Sequence, residues 1–347
     1  MNSIQHDSVQ NTLWGFENAL AQFQYSQTVN KKVVASPFGD ILTKLTRERV
    51  GKQWRALSYL WSKYETGLKY SREGKLHNAE QIFAEAASLH SEFKQTPLLN
   101  QLANVGALPA IAYLQYKQAL YKEAESSLIT SIDSDATLLT EGLYILDYHR
   151  VQQLHNLARL YFKQSRLEEG AYMIHKALRF MLCGDPLSLG SSTGSVITTE
   201  EIPVELRSDM LYQLTGETAS VFLNYPEINT ELCQFAFSEL TEWESRTEDE
   251  HFHRQFFTLQ QAYMDRDFDL FMEKSHLFLT RSPKQFDSYK LSILMNMINC
   301  INHCNGYTDS MKRVIMEFIQ KLHVREQQKE TCLTFFHQLT ENSTQLY

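Results

Sequence analysis

Two Glu-x-x-His pairs, Glu250/His253 and Glu273/His276, come closest of any residues in this chain to a metal-binding pattern. On a helix that spacing aims a carboxylate and an imidazole at one ion, and paired copies mark di-iron carboxylate bundles. The helical pattern turns near Arg266, however, with Glu250 about 16 residues before the turn and Glu273 about 7 after it. At about 1.5 Å per residue the two pairs stand roughly 10 Å or more out of level. Bridging carboxylates from two other helices are not evident. Cys300, His303 and Cys304 are too compact for zinc and lack a second ligand pair at zinc spacing. Gly190-Ser191-Ser192-Thr193-Gly194 lacks the lysine and the strand–helix setting of a phosphate cradle. His149, near Asp147 and Tyr148, reads as an isolated polar patch, a cap or groove contact more than a triad fragment. No catalytic residue, metal or cofactor is assigned, and the expectation is a protein that is not an enzyme.

The elements that must position any site are set by a chain of 347 residues, long enough for two ordinary domains or one elongated array. Apolar content of 43% is that of a folded protein, and seven prolines with thirteen glycines favour long helices and short connections. The net charge is −8 and the basic residues are scattered, which disfavours nucleic acid, since a phosphate backbone requires a concentrated positive face. The densest basic run, Lys44 to Arg55, reads as a solvated helix face. Five cysteines, an odd and widely scattered set, suit a reducing compartment better than a disulfide framework. The opening MNSIQHDSVQNT is polar and no run of 18 apolar residues occurs. A soluble, cytoplasmic protein with no membrane partner is expected, in which the Asn342-Ser343-Thr344 sequon has no meaning.

Leu13, Phe16, Leu20 and Phe23 fall at helical spacing, and Ser36-Pro37 opens a second helix that runs to about Arg49, before Gly51. Residues 1–52 are thus expected to form an N-terminal helical cap. Helix pairs are expected at 53–72 with 76–93, 98–117 with 120–132, and 137–163 with 167–182. The Gly-, Pro- and hydroxyl-rich stretch 184–203 reads as a flexible surface loop, a tolerated insertion before it is a lid. Degenerate helical repeats follow over 204–322: 205–222 with 229–245, 251–264 with 268–280, and 285–304 with 308–322. Ser282-Pro283-Lys284-Gln285 reads as a capping box and Asn305-Gly306 as a turn. A capping helix and tail complete 323–347. No alternating run suggests a sheet, so the fold class expected is all-α.

Across the first three pairs one pattern returns about every 45 residues. Its copies are Gly67, Tyr70, Gly74, Ala79, Phe83, Ala86; then Ala112, Gln115, Ala119, Ala124, Leu128, Ser131; then Ala158, Tyr161, Ser165, Gly170, Ile174, Ala177. Small residues at matched places let two antiparallel helices approach closely, and an aromatic one turn later fills the gap beside them. Such a unit cannot bury its apolar face alone, so copies must stack.

The segment from Trp61 to Ala86 resembles a tetratricopeptide repeat: Gly67-x2-Tyr70, a turn Gly74, then Ala79-x3-Phe83-x2-Ala86 stand at that family's separations. Leu154, Leu157, Ala158, Tyr161 and Ala177 carry the resemblance in the third copy, while Gln115 departs from it in the second. The period also departs, about 45 against 34 in the family, which requires longer helices or larger connections. The resemblance implies an α-solenoid of stacked antiparallel helix pairs, a right-handed superhelix whose first helices line a concave peptide groove. Carried over by position, that groove would present Trp61, Tyr64, Leu68 and Arg72 from the first pair, and Tyr113, Tyr116 and Lys117 from the second. The third would add Gln152, His155, Asn156, Arg159, Phe162 and Lys163. Asn156, Arg159 and Lys163 reproduce only part of the family's clamp for chaperone C-termini. The mixture of aromatics, amides and cations fits a protein or peptide segment, acidic or C-terminal. Two functions are compatible: an adaptor or scaffold, and a peptide-responsive regulator that changes shape to control an effector, a layout similar to bacterial Rap-type regulators.

Overall fold

The computed structural model describes residues 15, 17–18, 20–23, 37–187, 201–225, 228–303 and 308–342, and among these every regular element is a helix. Two compact units emerge, one spanning Val34–Met210 and the other Met1–Val33 together with Leu211–Tyr347.

The first unit begins with α1 (Pro37–Val50) and a 3-10 turn, Gly51–Gln53. Six long helices follow: α2 (Trp54–Arg72), α3 (Leu76–Ser91), α4 (Pro97–Lys117), α5 (Tyr121–Leu139), α6 (Leu146–Lys163) and α7 (Leu167–Cys183). They pair as three hairpins, α2 on α3, α4 on α5 and α6 on α7, and successive hairpins join through α2 on α4 and α5 on α6. The small residues of the repeat sit where close approach demands them. Ala79, Ala86, Ala112, Ala124, Ala158 and Ala177 are almost fully buried. A methyl group on Gly67 would fall inside the Phe83 ring, and one on Gly170 would strike Phe162. Between hairpins, the Trp61 indole N–H donates to the Leu102 carbonyl at 2.9 Å, and its ring lies against Gly106.

All three hairpins turn through one backbone form. Gly74, Ala119 and Ser165 have φ of +75°, +60° and +60°. Each donates its N–H to the carbonyl three residues back, and the following residue donates to the carbonyl five back: Lys75 to Tyr70, Leu120 to Gln115, Arg166 to Tyr161. This is the Schellman closure of a helix, which normally recruits glycine. Ala119 is exposed and carries a Cβ in a conformation that disfavours one. Ala119→Gly is therefore expected to raise the urea unfolding midpoint of this unit, by about 0.5–1 kcal/mol of stability; an unchanged or lowered midpoint would show that the turn conformation is not under strain.

Three boundaries differ from expectation. Helix α5 continues to Leu139 and is ended by Gly142 at φ +81°, so the third pair starts at Leu146 instead of 137. The helix expected over 229–245 stops at Phe237, where Ser238 is extended and Glu239 takes φ +59°. Ser282 does not cap the helix after it; its hydroxyl donates back to the Phe278 carbonyl at 2.7 Å, and Lys284–Phe286 forms a 3-10 turn.

Helix α8 (Val204–Phe222) runs across the boundary between the units. The second unit contains α9 (Asn229–Phe237), α10 (Glu248–Met264), α11 (Phe268–Arg281), α12 (Asp287–His303), α13 (Asp309–Lys321) and α14 (Glu326–Asn342). Its α10–α11 hairpin repeats the turn of the first unit: Arg266 has φ +61°, and Asp267 donates to the Ala262 carbonyl. The core here is aromatic, with Phe237, Phe256, Phe257, Phe286 and Tyr289 all buried and in mutual contact. A chain of buried amides crosses it, from Asn229 to Asn296 at 3.0 Å, to Gln260 at 3.0 Å and on to Ser292 at 3.3 Å. Phe23 also belongs to this unit. Its ring meets Phe318 edge-on at 4.9 Å and its carbonyl accepts from Lys321 Nζ at 3.5 Å. The segment expected as one cap over 1–52 is thus shared: α1 goes with the first unit, and residues 20–23 go with the second. Leu13, Phe16, Ser36, Asn305 and Gly306, and most of 184–203, lie outside the described residues.

Candidate functional site

Arg72 ends α2 and Lys117 ends α4, where a cation complements the negative end of the helix dipole. The packing of α2 on α4 brings both to one ring: the Arg72 guanidinium lies 5.9 Å from the Tyr113 centroid and Lys117 Nζ lies 5.7 Å from it. Tyr113 is half-buried and touches Tyr116, with centroids 6.2 Å apart, and Tyr116 in turn meets Tyr121 at 6.1 Å. Both cations are exposed, and neither has a carboxylate partner among the described residues. Two uncompensated positive charges over an aromatic surface can hold a carboxylate or phosphate beside an apolar contact.

The remaining residues expected along the groove divide by burial. Tyr64 is 2% exposed and packs on Phe83 inside its own hairpin, with its hydroxyl 3.3 Å from His90 Nδ1. Burial pushes its phenol up to about 12. Phe162 is buried over Gly170, and His155 is 6% exposed. Trp61 is spent on the joint between hairpins. Tyr64, Phe162 and His155 are thus buried in the fold, while Trp61 is half-buried. Gln152 and Asn156 are half-buried, Asn156 donating to Gln153 at 3.1 Å, while Arg159 and Lys163 are exposed.

Helix α6 also carries buried polar chemistry that its sequence conceals. Here the structure corrects the expected patch: Asp135, not Asp147, faces His149, with Oδ2 2.7 Å from Nδ1. Asn156 donates to Gln153 Oε1, which turns the Gln153 NH₂ toward His149 Nε2 at 3.0 Å. With Nε2 accepting, the imidazole proton must sit on Nδ1 and point at Asp135. Phe38 of α1 stacks on the ring at 5.8 Å. Desolvation raises the Asp135 carboxyl above its ordinary range. Both imidazole nitrogens are engaged, so the dyad orients helices and offers no free base. Asp147 pairs instead with Arg150 at 2.7 Å, and Arg150 Nη2 donates to the Leu187 carbonyl at 2.7 Å.

In the second unit the Glu-x-x-His residues are separately occupied. Glu250 is buried and accepts from the Arg246 N–H at 2.7 Å; His253 meets the Tyr289 hydroxyl at 2.9 Å; Glu273 pairs with Lys274 at 3.0 Å on the surface. Among the described residues, no three His, Cys, Asp or Glu side chains converge on a metal position, and Cys304 lies outside them. A surface cleft of about 340 Å³ runs along α14, lined by Gln327, Glu330, Thr331, Thr334, Phe335 and Gln338. Glu330 is its single ionisable side chain. No helix among the described residues is long and apolar enough to cross a membrane. The signal that could have found the Arg72–Tyr113–Lys117 cluster is the repeat register itself, since Arg72 and Lys117 occupy the same place in successive copies. Compared with known proteins, the chain matches no family model, no curated protein and no solved structure.

Proposed function

We propose that this chain is a non-catalytic helical-repeat protein, a tetratricopeptide-like solenoid in its first unit, that binds a protein or peptide segment and acts as an adaptor or scaffold. The observation that carries the reading is Tyr113, set between Arg72 and Lys117, neither of which has a carboxylate partner among the described residues. Arg72 and Lys117 come from different hairpins, so a ligand held by both also bridges the joint between them. An acidic segment supplies the missing charge, and the tyrosines supply apolar contact at low entropic cost.

Panning the intact protein with a displayed library of random 12-residue peptides is expected to enrich acidic sequences. Those peptides should lose most of their affinity for the Arg72→Glu/Lys117→Glu protein, whose melting temperature should not fall, since surface ion pairs and exposed charges contribute little to stability. Panning that yields no enrichment, or peptides indifferent to the double reversal, would refute the reading.

A further inference from the structure

Arg72 and Lys117 have a third counterpart. Each stands two residues before the left-handed turn residue of its hairpin, Gly74 or Ala119, and Lys163 stands in that place before Ser165. The three turns share one backbone form, so the three cations leave the last turn of α2, α4 and α6 in equivalent positions. All three are exposed, and Lys163, like the other two, has no carboxylate partner among the described residues. The register ends with the first unit: the fourth hairpin carries Met264 there.

We infer that Arg72, Lys117 and Lys163 form a ladder along the turn edge of the hairpins, and that its ligand is an extended acidic segment with a carboxylate at every third residue. The inference rests on the peptide-binding function proposed above and fixes the spacing of the ligand. Packed helices stand about 8–10 Å apart. A polyproline-type segment rises about 3.1 Å per residue with three residues per turn. Its residues i, i+3 and i+6 therefore share one face and advance by about one helix spacing each. Helix α6 packs on α5, and Tyr116 of α4 meets the cluster that holds Leu157, Leu160 and Tyr161 of α6, which ties the third hairpin to the second near its turn. The charges between the rungs decide the class of ligand. Exposed Glu73, Glu123 and Glu168 lie close by in sequence, each beside one turn, among Lys75, Lys122 and Arg166. Lys75 pairs with Glu73 and Arg166 with Glu125 and Glu169, so both signs alternate along the edge of a chain whose net charge is −8. Alternating signs accept separated carboxylates and repel a continuous phosphate backbone.

The test is fluorescence anisotropy with the full-length protein at low salt, using labelled (Glu-Pro-Ser)4, an isomer with its four glutamates contiguous, and a 12-nucleotide oligothymidylate. The spaced peptide is expected to bind at least about tenfold tighter than its isomer. Each single substitution, Arg72→Gln, Lys117→Gln or Lys163→Gln, should weaken it about two- to threefold, and the triple variant should reduce it to the level of the isomer without a change in melting temperature. Equal binding of the two isomers overturns the register while leaving acidic-segment binding in place. Tighter binding of the oligothymidylate overturns the class of ligand. No binding of either peptide, while panning still enriches sequences, overturns the ladder alone; failure of the panning as well removes the function beneath it.

Discussion

Replacing Arg150 by methionine is expected to cost the first unit about 3–5 kcal/mol, the loss typical when one partner of a buried ion pair is removed. Arg150 and Asp147 are both fully buried, joined at 2.7 Å, and Arg150 also anchors the Leu187 carbonyl beyond the end of α7. Methionine fills much of the same volume, so the cost comes from removing the guanidinium that faces the buried Asp147 carboxylate in a low-dielectric interior. The contrast is Arg166, which pairs with Glu125 and Glu169 near the surface at about a third exposure, where such pairs contribute about 0–1 kcal/mol. Combining Arg150→Met with Asp147→Leu should recover most of the loss, since both charges leave together. Hydrogen exchange followed by mass spectrometry localises the effect to α6 and the segment after α7. An Arg150→Met protein that unfolds within 1 kcal/mol of the parent would show that Asp147 reaches water or another partner.

The physics of the hairpins was legible because it is local. Small residues recurring at Gly67, Ala112 and Ala158 and at Ala79, Ala124 and Gly170 can only serve close helix contact, and those sites are buried in the contact. The turns were half legible: Gly74 announces a left-handed residue, but Ala119, Ser165 and Arg266 adopt the same conformation without the residue type that signals it. The α10–α11 hairpin escaped the repeat pattern because its sizes are inverted. Phe271 and Phe278 stand at the register of Ala79 and Ala86, and Ser275 at that of Phe83, so a different packing is built on the same turn.

The candidate site was less legible, for a reason specific to α6. Fourteen of its eighteen residues are buried, because it lies against both α5 and α7, so its polar face narrows to one stripe of Gln152, Asn156, Arg159 and Lys163, while His149, Arg150 and His155 are polar residues packed inside. Counting positions on the repeat assigned Phe162 and His155 to a groove, and both are buried. Arg72, Lys117 and Lys163 were placed on the surface by the same counting, since at a helix C-terminus charge and repeat position both point outward. The Asp135–His149 pair joins two helices across Gly142 and has no spacing rule that would announce it.

The second unit is expected to lose stability steeply as the pH falls below 6.5, and His253 is the principal cause. Its ring is 1% exposed, edge-on to Phe286 at 5.2 Å, with Nδ1 facing the Tyr289 hydroxyl at 2.9 Å. Burial lowers its pKa to about 3, so the folded state holds it neutral through the range in which the unfolded chain takes up a proton near 6.5. Between those two values the unfolded state binds the extra proton, and stability falls with pH by up to about 1.4 kcal/mol per unit, roughly 5 kcal/mol in all. His253→Gln keeps an acceptor for Tyr289 and removes the titration. The variant should therefore lose little at pH 7.5 and overtake the parent between pH 6 and pH 4. Urea titrations across that range, followed by the fluorescence of Trp243 in this unit and by exchange in α10, measure both slopes. Parallel slopes in parent and variant would show that His253 is not the cause of the acid sensitivity.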